Sequence, residues 1–490
     1  MRRLITLTVS AAVAATLAGC KVGPNYKRPV VNSPAEYRGA MAPDAISGAN
    51  PASLGAQKWD TVFTDPVLQD LIREALKNNY DVKIAADRVL EEQAAVGVTR
   101  AGQFPTLSGG ASYDAVSLPG GLLSGLGGNN NNNNGSSNSN SNNGRSNLYS
   151  GGFTASAAWN LDFWGQYRRA TEAQRAEFRA TQWAQQTTYS TLIDEIVTDY
   201  YQLRSLDAQL AVTKQTIDAR KQSLDLTRTL DQGGSGTLAD VRQAEELYYT
   251  AQAQVPALEQ QITQTENNLG LLLGRNPGPI LRDVTASPDI LAKAPHPPEI
   301  PVGVPSELLE RRPDIRRAEE LLVQANANIG VARSQYFPQL SITGNGGTSS
   351  SQFKKIFDGS NILFYAVGSA SEPIFDGGKI RNQYREAKAK DQELIDTYQQ
   401  TISGAFRDVS NALVAYTKTR EAREQQEKLV ASSADAVRLA RMRFQAGATG
   451  YLEVLTNDTT LYNSQLTLAS AQQAEAQALV QLYNALGGGW

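Results

Sequence analysis

Between Gln166 and Asp231 the chain contains neither glycine nor proline, and between Lys379 and Ala446 only Gly404. Nothing else in either stretch interrupts a helix. At 1.5 Å per residue each predicts a rod of roughly 100 Å, whereas a mean globular helix has about 11–12 residues. Ile196, Leu203, Leu210, Ile217 and Leu224 recur at sevens. Val409, Tyr416, Val430, Val437 and Phe444 keep the same phase in the second stretch, with Arg423 as a break. A seven-residue period predicts left-handed coiled-coil packing. The positions between are rich in Ala, Gln and Thr. That composition suits a thin helical wall with water on two sides better than a globular core.

The rods are two because the chain is written twice. Gly97-Val98-Thr99-Arg100 and Phe104-Pro105-Thr106-Leu107-Ser108 return 233 positions later as Gly330-Val331-Ala332-Arg333 and Phe337-Pro338-Gln339-Leu340-Ser341. Gln232, Gly234, Val241, Tyr249 and Gln252 return 213 positions later as Gln445, Gly447, Val454, Tyr462 and Gln465. The shorter offset places an insertion in the first half, and the Asn/Ser/Gly run Asn129–Asn143 reads as that solvated loop. Each half has one order: helix, strand, loop, strand, long helix, tight turn, long helix. The first repeat spans 66–275, with strands about 104–115 and 150–163, loop 116–149, and helices about 165–231 and 238–270. A linker covers 276–304. The second repeat spans 305–490, with strands about 338–349 and 363–376 and helices about 379–445 and 451–486. Pro256 is expected to kink the first return helix.

The strands alternate. Phe153, Ala155, Ala157, Trp159 and Leu161 oppose Thr154, Ser156, Ala158, Asn160 and Asp162. Leu107, Ala111 and Tyr113 oppose Thr106, Ser108 and Ser112, and Leu340 and Ile342 oppose Ser341, Thr343 and Asn345. In the fourth strand Tyr365 and Val367 are expected on the lipid side, although a slip of one residue reverses the faces. Apolar-out, polar-in segments are the signature of a transmembrane β-barrel. Aromatics at the helix–strand junctions (Phe104, Trp159, Phe163, Trp164, Phe337 and Phe375) suggest an interfacial belt. Four strands cannot close a barrel, since the smallest has about eight. Lipid tolerates no open edge, so closure requires several copies. A dimer gives eight strands and a filled interior; a trimer gives twelve and room for a pore.

The N-terminus fits export. Arg2 and Arg3 precede an apolar stretch, Leu4 to Leu17, that is too short to span a bilayer. It ends in Leu17-Ala18-Gly19-Cys20, which resembles a bacterial lipoprotein signal. Cleavage after Gly19 would leave Cys20 to carry a diacylglycerol and an N-acyl chain. Residues 1–19 are then a signal peptide, and 20–65 a lipidated N-terminal segment. Lys21, rather than Asp, favours the outer membrane. Elsewhere no run of 18 apolar residues occurs.

Charge is nearly balanced, with 46 Lys+Arg against 49 Asp+Glu, which argues against nucleic acid as a partner. One Cys and one His exclude an internal disulfide and a Cys/His zinc centre. No catalytic residue, metal or cofactor is expected. The lone His296 lies in a Pro-rich linker.

With these features together the chain resembles the outer-membrane factors of tripartite efflux systems, the TolC/OprM type and its NodT-like lipoprotein branch. The residues that carry the resemblance are Cys20 with Gly23-Pro24-Asn25-Tyr26 and Pro29, Leu308-Leu309-Glu310-Arg311-Arg312-Pro313-Asp314-Ile315, Phe337-Pro338, Pro373-Ile374-Phe375-Asp376-Gly377-Gly378, and Tyr483-Asn484-Ala485-Leu486-Gly487-Gly488-Gly489-Trp490. The resemblance implies a mainly helical homotrimer. Its twelve-stranded outer-membrane β-barrel, four strands per chain, continues into a long periplasmic α-helical coiled-coil barrel. Equatorial contacts would come from Arg28–Thr64 and Asn276–Pro305. It also implies passive conduction of small molecules, a periplasmic adaptor, and an inner-membrane RND-type pump.

In such channels the helix tips close the entrance. That points to Gly234 and Gly447 in the turns, to Asp240 and Glu453 as an acidic ring, and to Thr456 and Phe444 beside them. Two local readings compete: Thr237 with Asp240 resembles a capping box, and Glu453 lies in a first helical turn, where the dipole favours an acid. A different class of function, a lipid-anchored periplasmic scaffold or adaptor, would need no barrel.

Overall fold

The computed structural model describes residues 21–31, 34, 37–38, 53–119, 145–283, 305–350 and 353–489. Residues 1–20, the Asn-rich run and His296 lie outside the described residues. The chain divides into two compact units. One collects Met1–Lys27, Gln93–Arg175 and Val323–Gln392; the other collects Arg28–Glu92, Ala176–Leu322 and Glu393–Trp490.

The first unit holds a four-stranded antiparallel sheet in the order β1 (Thr106–Pro119), β2 (Arg145–Leu161), β3 (Gln339–Ser350), β4 (Ile362–Ser371). Among the described residues β1 and β4 each have one neighbour, so the sheet has two open edges. Residues paired across antiparallel strands share a face. Trp159 pairs with Ile342, Leu161 with Leu340, and Ala111 with Phe153, which gathers the apolar positions of three strands on one face. Ser108 pairs with Ser156, and Ser156 with Asn345, on the other. Hydroxyls meet across that polar face: Ser108 and Ser156 at 2.6 Å, Ser341 and Ser369 at 2.8 Å.

The fourth strand departs from the sequence reading. Tyr365 pairs with Asn345 and Val367 with Thr343, so both lie on the polar face. Phe364, opposite Gly346, and Ile362, opposite Thr348, take the apolar one. The stretch Ile362-Leu363-Phe364-Tyr365-Ala366-Val367 is apolar at every position. Alternation therefore cannot choose its face, and only pairing with β3 does.

Each strand pair feeds a long helix through an aspartate-stabilised turn. The Asp162 carboxylate accepts from the backbone N–H groups of Tyr167 (3.1 Å) and Arg168 (2.9 Å), and Gly165 turns the chain at φ +80°. Asp376 accepts from Gly378 and Ile380, each at 2.8 Å. These bonds satisfy N–H groups that a helix start leaves without intrahelical partners.

The second unit is helical. Its framework is α1 (Pro66–Asn78) with the start of α2 (Tyr80–Ala101), most of α3 (Gln166–Gln232), α4 (Leu238–Leu272), α5 (Pro305–Arg311), the start of α6 (Pro313–Ser334), most of α7 (Lys379–Gln445), and α8 (Tyr451–Ala485). Helices α3 and α7 are 67 residues each, and α4 and α8 are 35 each. Ile196, Leu203, Leu224, Val409, Tyr416 and Val437 of the seven-residue pattern are buried, while Leu210, Ile217, Val430 and Phe444 are half-buried. Small side chains bring α3 close to α8: Ser205 donates to the Ala469 carbonyl at 3.1 Å, and Thr213 meets the Tyr462 hydroxyl at 3.1 Å. The chain after α4 is pinned by Arg282, which bonds Asp207 on α3 (2.7 and 2.8 Å) and Glu266 on α4 (2.5 Å). Before α1, Arg28 bonds Glu310 on α5 and Tyr398 on α7.

Arg423, the break in the pattern, has a structural partner. It donates to Glu475 on α8, whose side chain is 0% exposed, and to Glu427 at 2.6 Å. Shifting back by 213 positions lands on Leu210 and Ile262. The second repeat thus holds an ion pair where the first has two aliphatic residues. Breaking a buried pair leaves one charge uncompensated at about 3–5 kcal/mol, whereas replacing both members by apolar residues is neutral or favourable. Arg423→Leu or Glu475→Ile alone is expected to destabilise the extracted protein strongly. The double variant is expected to regain wild-type stability in thermal and denaturant unfolding.

Candidate functional site

Two features of the chain have no ordinary structural role: the sheet with bare faces, and the joined ends of the two helical hairpins. On the sheet, Leu107 is 82% exposed and Phe364 83%, with Tyr113, Phe153 and Ile362 also exposed. Such a row belongs against another apolar phase. The opposite face presents Thr106, Ser108, Thr154, Ser156, Ser341, Thr343 and Asn345, flanked on β4 by Leu363, Tyr365 and Val367.

The junction aromatics divide into two groups. Phe104 and Phe375 are exposed. Trp159, Trp164 and Phe337 fasten loops to one another. Trp164 stacks on Phe337 (centroids 4.7 Å, 22°) and donates its indole N–H to the Pro338 carbonyl at 2.9 Å. Trp159 donates to the Gln103 carbonyl at 3.1 Å. An aromatic ring with one polar edge suits such a junction between apolar and wet surroundings.

The hairpin ends come together in the helical unit. Gly234 (φ +71°) and Gly447 (φ +69°) close the two turns in the left-handed region that glycine tolerates. In the second turn the Gly447 N–H donates to the Phe444 carbonyl at 2.9 Å, and the Ala448 N–H to the Arg443 carbonyl at 2.8 Å. Leu224, Val241 and Ala244 of the first hairpin pack with Ala440, Tyr451, Val454 and Leu455 of the second. Phe444 lies against the cluster, its ring 5.2 Å from that of Tyr451, and burial pushes the Tyr451 phenol up.

Both acidic candidates are tied locally. Asp240 closes a capping box: the Asp240 N–H donates to the Thr237 hydroxyl, and the Asp240 carboxylate accepts from the Thr237 N–H, each at 3.2 Å. The Glu453 carboxylate accepts from Arg443 at 2.7 Å and from the Thr449 hydroxyl. Thr456 is exposed and donates to the Leu452 carbonyl at 2.9 Å.

A further tie between the hairpins involves residues that the sequence pattern did not single out. Arg220 on α3, with a side chain 4% exposed, donates to Asp458 on α8 (2.9 Å) and to the Leu247 carbonyl on α4 (2.8 Å). Its guanidinium lies 5.0 Å over the Tyr462 ring. Asp458 also accepts from Arg441 of its own hairpin at 3.4 Å. The matching pair in the first hairpin is Arg228 with Glu245 at 2.8 Å. Bonds from Arg228 and then Arg242 hold the Glu245 carboxyl below its ordinary range. Asp458 is therefore the node through which Arg220 joins the two hairpins. One sequence signal was available: Arg220 follows Ile217 by three in the heptad phase, a position that ordinarily takes an apolar residue.

A family model described as "Outer membrane efflux protein" matches residues 71–275 and 304–488. The solvent efflux pump outer membrane protein SrpC of Pseudomonas putida is 33% identical over 475 residues, covering 97% of this chain and 96% of that one. The cation efflux system protein CusC of Escherichia coli K12 is 30% identical over 477 residues, covering 97% and 98%. The open state of the Neisseria gonorrhoeae MtrE outer membrane channel superposes with a TM-score of 0.82 at 28% identity, covering 96% of this chain and 98% of that one.

Replacing Asp458 by Ala leaves Arg220 buried without its counter-charge, at a cost of about 3–5 kcal/mol. Hydrogen exchange is expected to quicken through the first turns of α8. Breaking the exposed pair Lys418–Glu421 by Glu421→Ala is expected to change stability by less than about 1 kcal/mol.

Proposed function

The chain belongs to the outer membrane efflux protein family, and we propose that three copies close their sheets into one twelve-stranded barrel that forms the exit of a small-molecule duct. The protein is the outer-membrane channel of a tripartite efflux system. The observation that carries the trimer is the sheet, with an apolar face left bare and two open edges. Hydrocarbon accepts the face and refuses the edges. Pairing β4 of one copy with β1 of the next removes every edge. Twelve strands leave a lumen that the polar face lines. A periplasmic scaffold would leave this sheet without purpose.

Transport in this reading is passive. An inner-membrane pump of the RND type does the work, and a periplasmic adaptor joins it to the helical end. The names of the relatives cover solvents and cations. The lumen face offers hydroxyls beside Leu363, Tyr365 and Val367, a mixed wall suited to small amphiphilic cargo. The mature protein is held in the outer membrane by lipid on Cys20, with its helical extension in the periplasm. Leu17-Ala18-Gly19-Cys20 followed by Lys21 supports this anchor. Radiolabelled palmitate is expected to enter the wild type and not Cys20→Ser.

The tip is the entrance. Asp240 and Glu453, three of each in the trimer, narrow and negatively charge it. Gly234 and Gly447 set the turns, and Phe444 and Thr456 line the approach. Rings of carboxylates favour cations. In planar bilayers the wild type is expected to show small, cation-selective conductance. The double variant Asp240→Ala/Glu453→Ala is expected to conduct more and select less. Unchanged conductance and selectivity would remove the gate role, and no conductance from any variant would remove the channel.

A further inference from the structure

Residues 21–25 do not trail from the sheet unit; they are bonded into it by a buried arginine. Arg169, in the first turn of α3, has a side chain only 1% exposed. A guanidinium so buried must find partners for its donors. Its Nη1 donates to Glu172 (3.1 Å), in the next turn of its own helix. Its other bonds all go to the N-terminal segment: Nε to the Val22 carbonyl (3.4 Å), and Nη2 to the Gly23 carbonyl (3.3 Å) and the Asn25 side-chain oxygen (2.9 Å). Glu172 also pairs with Lys21 at 3.2 Å. The Val22 N–H donates to the carbonyl of Trp164, the residue stacked on Phe337.

Two glycines make this approach possible. Gly23 has φ +110°, and a Cβ there would lie 2.6 Å from the Gly330 Cα. A Cβ on Gly330 would lie 2.9 Å from both the Val22 carbonyl oxygen and the Arg169 Cγ. Backbone therefore meets backbone between the segment and α6. The duplication supplies a control. Gly97 occupies the Gly330 position in the first repeat, and a Cβ there would meet nothing within 4 Å. The space is needed only where the N-terminal segment docks.

We propose that Arg169, Glu172 and Gly330 form a socket for the chain's own residues 21–25, which holds the membrane anchor at one fixed point beside the Trp164–Phe337 junction. The anchor is then a strut of the sheet unit and not a leash. The lipid on this strut rests on the function proposed above; the socket itself does not.

The test places a nitroxide on Pro24→Cys, an exposed position inside residues 21–25 and ahead of the separate Arg28 bonds, in the full-length protein extracted from membranes. The expected spectrum is immobilised in the otherwise wild-type chain. Gly23→Val, which blocks the socket from the segment side and leaves the sheet and helices untouched, is expected to lose the immobilised component. Gly330→Val, which blocks it from the helix side, is expected to do the same. Asn25→Ala is expected to lose part of it, and Asn25→Asp, which still accepts from the guanidinium, to keep it. A mobile spectrum in the wild type, or an immobilised one in Gly23→Val, would overturn the socket. The same preparations, intact and with Cys20→Ser, are weighed by mass spectrometry. A wild type without acyl chains would overturn the lipid reading, and the spectra of the Cys20→Ser preparations, in which the label has a single thiol, would still decide the socket.

Discussion

A strand edge in hydrocarbon cannot leave its N–H and C=O groups unpaired. Each such group costs several kcal/mol, and water is absent to relieve it. Among the described residues the sheet has four strands and two edges, and one of its faces is a bare row of apolar side chains. Those facts make the single chain a fragment of a larger closed object. The remaining architecture follows from supplying that closure. Aspartate turns end the strands and start helices at once, and indole N–H bonds tie the junction loops together. In the helical unit, two hairpins meet in one small apolar cluster.

The duplication builds the two halves alike, and the ion pairs make them differ. Arg228 with Glu245 and Arg441 with Asp458 are the same tie written twice. Arg220 breaks the symmetry by crossing to Asp458, and Arg423 breaks it by meeting Glu475 where the first half has Leu210 and Ile262. Near-identical hairpins built only from small apolar residues would have few reasons to pair in one register. A buried charge that finds its partner in one arrangement alone penalises the others. The acidic residues at the hairpin ends are tied locally: Asp240 caps its helix, and Glu453 pairs with Arg443.

Much of this was legible from residue order. The absence of glycine and proline announced the long helices, and the paired Gly234 and Gly447 announced the turns. The alternation in β2 placed Phe153, Trp159 and Leu161 on one face, where the structure has them. The fourth strand was not legible, because Ile362 to Val367 is apolar throughout and local pattern carries no information about its face. Only the pairing of Tyr365 with Asn345 decides it. Arg220 and Arg169 were missed for a related reason. Arg169 is an ordinary helix residue by sequence, and Arg220 shows only as a charge at an apolar heptad position; the meaning of each lies in partners 144 and 238 positions away. Cys20 was read from its motif alone, and the structure adds the socket that receives the residues behind it.

Four strands of this kind close only across three chains. The most direct measurement is the native mass of the detergent-extracted mature protein, taken before and after heating. The expected result is a complex of three copies that falls to single chains when heated, with a largely helical circular dichroism spectrum throughout the unheated state. A single chain that stays soluble without detergent would contradict it, since a sheet with two open edges and a bare apolar face would then be stable in water alone.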